Sequence, residues 1–153
     1  MQVKKDQDFM LLAIEQAKKA KETGDLPFGA VVVYKNNVIG SGKAEDKSTA
    51  DVTAHAELNA LREACRKLKT DNLEDCIIYC TNEPCVMCAA GIFQAGILRV
   101  VIGASRADLS HILRPRKLSI DDLVIDSGHK IEITRGVLKD KALELFADIN
   151  NKS

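Results

Sequence analysis

Residues 76 to 102, CIIYCTNEPCVMCAAGIFQAGILRVVI, decide the fold. Cys76-Ile77-Ile78-Tyr79-Cys80 is a short apolar run rich in β-branched and aromatic residues, the composition of a central strand. Cys85 to about Ala95 is rich in Ala and closes near Gly96, which predicts a short helix. Val100-Val101-Ile102 repeats the strand signature. Strand, helix and strand in that order predict parallel neighbours joined by a crossover helix.

Working outward, Phe9, Leu12, Ala13, Ala17 and Ala20 recur at helical spacing between Asp6 and Glu22, with Gly24 as the stop. Ala30 to Tyr34 reads as a buried strand, Asn36-Asn37 as a tight turn, and Val38-Ile39 as the return strand of a hairpin. After a polar stretch from Ser41 to Asp51, a second helix is expected from about Ala54 to Lys69. Leu58, Leu61, Cys65 and Leu68 lie along its apolar stripe, and Asp51 or Thr53 is its expected N-cap. Beyond the deciding stretch, residues 105–128 read as a long loop, Ile131 and Ile133 as an edge strand, and Lys139 to Ile149 as a final helix. No repeat or linker divides the chain, so residues 1–153 are expected to form a single domain.

Composition narrows the function classes. Lys and Arg number 22 against 22 Asp and Glu, and this balance argues against a dedicated nucleic-acid binder. It hides a local basic run of Arg99, Arg106, Arg114, Arg116 and Lys117, opposed by Asp108. No segment approaches the roughly 20 apolar residues that span a bilayer, so no membrane partner is expected. Met1 to Asp6 lacks the apolar core of a signal peptide. A cytoplasmic protein is the expectation, in which cysteines serve as metal ligands or buried thiols rather than disulfides.

Two motifs carry the chemistry: His55-Ala56-Glu57 and Pro84-Cys85-Val86-Met87-Cys88, each at the start of an expected helix. Cys85 and Cys88, three apart on one turn, can face one metal ion, and His55 can add a third ligand. Three protein ligands leave a tetrahedral position open for water, the catalytic pattern for zinc, and mixed imidazole and thiolate ligation selects zinc over magnesium or calcium. Two thiolates dampen the metal's acidifying power, so a nearby base is needed, and Glu57 sits in the same first turn as His55 to take and return a proton. A Cys-x-x-Cys alone also fits a redox pair or half of a structural zinc knot, for which Cys80 is the available fourth ligand. Cys65, Cys76 and Cys80 read most simply as core, and His111 and His129 have no ligand spacing around them.

These motifs match the H-x-E…P-C-x-x-C signature of zinc deaminases, and Pro27-Phe28-Gly29-Ala30 extends the likeness beyond it. The chain resembles the cytidine deaminase superfamily, nearest to the branch of guanine deaminases, tRNA-specific adenosine deaminases and fungal-type cytosine deaminases. The resemblance covers about residues 6 to 104, with further likeness around residues 129–138. It implies a three-layer α/β/α fold with a central mixed sheet of about five strands, and hydrolytic removal of an amino group as ammonia. His55, Cys85 and Cys88 would hold one Zn²⁺ per chain. Glu57 would move a proton from water to the ring nitrogen and then to the leaving group. Phe28, Ala56, Glu83 and Phe93 would contact substrate, and relatives of this size pair as homodimers.

Two positions depart from the family pattern. Relatives carry a substrate-binding Asn where this chain has Ala44, with Glu45 or Asp46 as the available polar substitutes. Gln94 stands where guanine-deaminase relatives have a large aromatic residue. The leading expectation is a deaminase of a small nucleobase or nucleoside, with guanine or a related aminopurine or triazine-like ring first. The alternative is a tRNA-specific adenosine deaminase forming inosine. A third class, a noncatalytic zinc-stabilised interaction module, requires Glu57 to be dispensable.

Overall fold

A five-stranded sheet in the order β2-β1-β3-β4-β5 divides the molecule. Its strands are β1 (Gly29–Tyr34), β2 (Asn37–Lys43), β3 (Cys76–Asn82), β4 (Arg99–Ala104) and β5 (Glu132–Thr134). β1 is antiparallel to β2 and β3, whereas β3, β4 and β5 run parallel. The structure is a computed structural model and describes residues 4–149. Residues 1–3 and 150–153, which the single-domain expectation also spans, lie outside the described residues.

The apolar strands run without alternation because both faces of the sheet are covered. On one face, Ala30, Val32, Ile78, Cys80, Val100 and Ile102 pack under α2 (Ala56–Leu68) and α3 (Val86–Gln94). On the other, Val31, Val33, Tyr79 and Val101 pack under Phe9, Met10, Ala13 and Ile14 of α1 (Asp6–Glu22). The result is the expected three-layer mixed α/β architecture. Among the described residues no helix is long and apolar enough to cross a membrane.

α2 presses directly on β2. Its buried face is Ala56, Ala60 and Ala64, and Gly40 and Gly42 of β2 lie beneath it. A Cβ on Gly42 would run into the Ala56 carbonyl and come within 2.6 Å of the Ala60 nitrogen. Two small-residue surfaces therefore set how close α2 sits, and with it the depth of His55 and Glu57. The expected leucine stripe is only part of the buried side: Leu61 is buried, while Leu58, Cys65 and Leu68 are half-buried against the same core.

Several boundaries differ from the sequence reading. The hairpin turn is Lys35-Asn36, both at positive φ (46° and 66°), one residue earlier than expected. A register shift between Val32 and Val33 absorbs the extra residue. Neither Asp51 nor Thr53 caps α2. The Asp51 carboxylate is taken by the Thr53 backbone N–H and hydroxyl at 2.9 and 2.7 Å, and His55 occupies the N-cap position. The long loop contains a helix, α4 (Ile120–Ser127), started by a capping box between Ser119 and Asp122 and anchored by buried Ile120. The last helix, α5, is shorter than expected and runs over Lys139–Glu144.

The basic run is not one patch. Arg99 leaves it for α1, where its guanidinium grips both Asp6 oxygens at 3.1 and 2.6 Å. Tyr79 also donates to Asp6 at 2.8 Å. Burial alone would raise the Asp6 carboxyl, but the Arg99 and Tyr79 hydrogen bonds and the Arg99 charge outweigh it and hold it below its ordinary value.

Candidate zinc centre

His55 and Cys85 are the N-cap residues of α2 and α3, both in extended conformation, and Cys88 lies in the first turn of α3. Two helix N-termini therefore converge on one point, and their free N–H groups and dipoles favour thiolate and developing negative charge there. The turn that aims His55 is built locally. The Ala54 N–H donates to the Asp51 carbonyl at 3.0 Å and the His55 N–H to the Thr53 carbonyl at 2.8 Å. The other motif is delivered by β3, whose end passes through Glu83 and Pro84 into Cys85.

His55 Nδ1 lies 3.7 Å from Cys85 Sγ and 3.5 Å from Cys88 Sγ. The three ligand atoms fall within 4.8 Å of one another. Tetrahedral zinc with ordinary bond lengths separates a nitrogen and a sulfur ligand by about 3.6 Å, so the donor set and its spacing fit the ion. Cys80, the candidate fourth ligand of a structural knot, is buried in β3 and is not part of this group. Burial pushes its thiol well above the ordinary value.

The electrostatics of the cluster are those of a site that concentrates negative charge. A hydrogen bond from Cys88 holds the Cys85 thiol well below its ordinary value and drives the Cys88 thiol up. The Cys85 hydrogen bond raises His55. Glu57 is 8% exposed, and burial raises its carboxyl to about 7.

His55, Glu57 and Cys85 line a cleft of about 240 Å³. That volume is below the roughly 300–1,000 Å³ of pockets for drug-sized ligands, and it suits one heterocycle with its substituents outside. Phe28 lines the cleft and is held in place by Phe146, their ring centroids 5.4 Å apart. Ala56, Ala44, Asp46 and Glu83 also line it, whereas Glu45 does not. Glu83 is not a free acceptor: Arg135 Nη1 donates to Oε1 at 3.1 Å and the Arg106 backbone N–H at 3.4 Å. Arg106 and exposed Arg116 stand at the cleft with Leu113.

Phe93 is not in the cleft. It borders a separate depression with Asn72, Glu74 and His129. α3 begins at the cleft and carries Phe93 eight residues, about 12 Å, away from Cys85. Gln94 follows it there.

Sequence reasoning missed Thr81, Asn82 and Asp25. The buried Asp25 carboxylate accepts the N–H groups of Lys47 and Ser48, both at 3.0 Å, and pins the loop that carries Ala44 and Asp46. Asn82 is 6% exposed in the cleft lining, and its Nδ2 has no hydrogen-bond partner among the described residues. A buried donor left unpaired costs about 1–3 kcal/mol. The available signal was a polar Thr81-Asn82 pair ending an apolar strand immediately before Glu83-Pro84-Cys85.

Comparison with known proteins agrees with this geometry. Residues 3–104 match the cytidine and deoxycytidylate deaminase zinc-binding region. A tRNA-specific adenosine deaminase from Buchnera aphidicola subsp. Schizaphis graminum is 33% identical over 148 residues, spanning 97% of this chain and 95% of that protein. A solved tRNA A34 deaminase, studied for A-to-I editing at the wobble position, is similar with a TM-score of 0.79 and 31% identity, covering 90% of this chain and 98% of the other. The guanine deaminase from Nitrosomonas europaea is similar with a TM-score of 0.82 at 26% identity, covering 94% and 84%.

Proposed function

Because the chain belongs to the cytidine and deoxycytidylate deaminase zinc-binding family, whose activity is hydrolytic deamination of bases and nucleosides, we propose that it converts adenosine to inosine in a transfer RNA. The carrying observation is the end-to-end similarity to a tRNA-specific adenosine deaminase, 33% identity across 97% of the chain. This reading favours the alternative of the sequence analysis over free guanine.

His55, Cys85 and Cys88 would hold a zinc ion, which would supply Lewis acidity toward water. Phe28 and the small side chain of Ala56 bound the slot that receives the base. Glu57, buried in the first turn of α2, takes the proton from the attacking water, passes it to the ring nitrogen beside the amino-bearing carbon, and assists departure of ammonia. Glu83, clamped by Arg135 and the Arg106 backbone, positions the turn into Cys85 rather than reading the base. Arg106 and Arg116 at the cleft offer cationic contact to phosphates flanking the target nucleoside. The chain acts as a homodimer in this proposal, as the family resemblance implies.

The test is a direct competition of substrates with the zinc-loaded protein. Inosine formation in a tRNA anticodon stem-loop is compared with ammonia release from guanine, guanosine, adenine, cytosine and cytidine. Turnover of the stem-loop with none of the free compounds is expected. Efficient turnover of free guanine with an inert stem-loop overturns the proposal. Arg116→Ala is expected to raise KM for the stem-loop and reduce its salt slope by about one.

A further inference from the structure

Asn82 closes β3 where the strand hands over to Glu83, Pro84 and Cys85. Its Oδ1 accepts from the Thr81 hydroxyl at 3.0 Å, and Thr81 Oγ1 accepts the Gly29 N–H at 3.0 Å. The hydroxyl has one proton and gives it to Oδ1, which fixes the orientation of the amide. Reversing the amide would strand both the hydroxyl proton and the amide oxygen. The amide nitrogen is thus held away from Thr81. Among the described residues, it is the buried side-chain nitrogen or oxygen that has no partner.

Such an atom in a cleft wall needs an explanation. No other side chain there is a neutral N–H donor with a free proton. Asp46, Glu57 and Glu83 are carboxyl groups, Arg106 and Arg116 are charged guanidiniums, His55 and Cys85 belong to the metal cluster, the Thr81 proton is already placed, and Ala44 presents only a methyl group. A neutral, immobile N–H donor is what a ring nitrogen of a purine lacks on entering a cleft that removes its water. The ribose is the wrong partner on depth: Asn82 and Glu57 are 6% and 8% exposed, and the cleft volume of about 240 Å³ suits the base alone.

We propose that Asn82 Nδ2 donates a hydrogen bond to N3 or N7 of the purine ring held beside Glu57, making Asn82 a base-recognition residue that supplies the donor Ala44 cannot. The inference rests on the RNA-adenosine reading above. It also explains why the amide is locked from behind through Thr81 and Gly29: a prepositioned donor loses no rotational freedom when substrate enters.

The experiment pairs enzyme and substrate substitutions. Wild type, Asn82→Ala and Asn82→Asp are assayed for inosine formation on stem-loops carrying adenosine, 3-deazaadenosine or 7-deazaadenosine at the target position. Zinc content and melting temperature are measured on each protein. Asn82→Asp keeps an acceptor for the Thr81 hydroxyl while removing the donor, so it separates recognition from support of the strand. For wild type, one deaza analogue is expected to lower kcat/KM about 10–100-fold, the usual range for one buried hydrogen bond. Both variants are expected to lose a similar factor on adenosine and to be indifferent to that same analogue. Variants that lose equally on all three stem-loops, or a wild type indifferent to both analogues, overturn the inference alone. A wild type inert on the adenosine stem-loop overturns the inference together with the reading it rests on.

Discussion

Asp6→Asn isolates the clamp between α1 and the sheet. The aspartate receives Arg99 at 3.1 and 2.6 Å and Tyr79 at 2.8 Å, and the Asp6 and Arg99 side chains are 30% and 28% exposed. Asparagine keeps an oxygen for Tyr79 but removes the charge that pairs with Arg99. Hydrogen bonds to charged groups contribute about 1.5–3 kcal/mol when shielded, and fully exposed ion pairs about 0.2–1 kcal/mol. At this intermediate exposure we expect a loss of about 1–2 kcal/mol at pH 7, which lowers Tm by about 2–8 °C in a chain of this size. The pH profile is the sharper readout. From pH 7 to 5, Asp6 is ionised in folded and unfolded chains alike, so the difference between the proteins stays level. Because the folded-state carboxyl is held below its ordinary value of about 3.9, its contribution fades as pH falls through that value. It vanishes below the folded-state value. Urea titrations followed by circular dichroism at pH 7, 5, 4 and 3 measure this. A difference below about 0.3 kcal/mol at pH 7, or one that persists undiminished at the lowest pH where both proteins fold, refutes the reasoning.

Other perturbations probe the cleft side. Gly42→Ala places a methyl group against the Ala56 carbonyl and the Ala60 nitrogen, so we expect a loss of about 1–3 kcal/mol by urea titration together with lowered zinc content. Normal stability and full zinc would show that α2 is not set by this contact. Cys85→Ala should abolish stoichiometric zinc, and chelation of the wild type should lower its Tm by roughly 5 °C or more, since an ion bound only by the folded state stabilises it. Glu57→Gln should retain zinc by elemental analysis and reduce turnover by at least about 10²–10⁴-fold. Preserved turnover would remove Glu57 from proton transfer and revive the noncatalytic module.

The local sequence held the elements and the metal ligands because both depend on short-range chemistry. The apolar run at Cys76 to Cys80, the alternation into α3 and β4, and the paired motifs around His55 and Cys85 all act over a turn or a strand. Helix boundaries were less legible: Asp51 reads as a cap but closes its own turn on Thr53, and α4 depends on Ile120 finding the core as well as on Ser119. The resemblance implied Phe93 as a pocket residue, yet eight residues of helical rise carry it out of the cleft.

By itself, then, the sequence determined a mixed α/β chain with two helix-start motifs able to bind zinc, since residue type and spacing suffice for strand runs, helix periodicity and ligand chemistry. Only the tertiary structure decided which donors meet. It brought His55 Nδ1 to 3.5 Å from Cys88 Sγ across 33 residues. It drew Arg99 to Asp6 of α1 and out of the basic run, and it left the amide nitrogen of Asn82, a residue of the cleft lining, buried with the amide oxygen already taken by Thr81. Pairings of this kind depend on how α2 rests on the glycines of β2 and on which strands lie side by side, and that long-range packing is written in no single stretch of the chain.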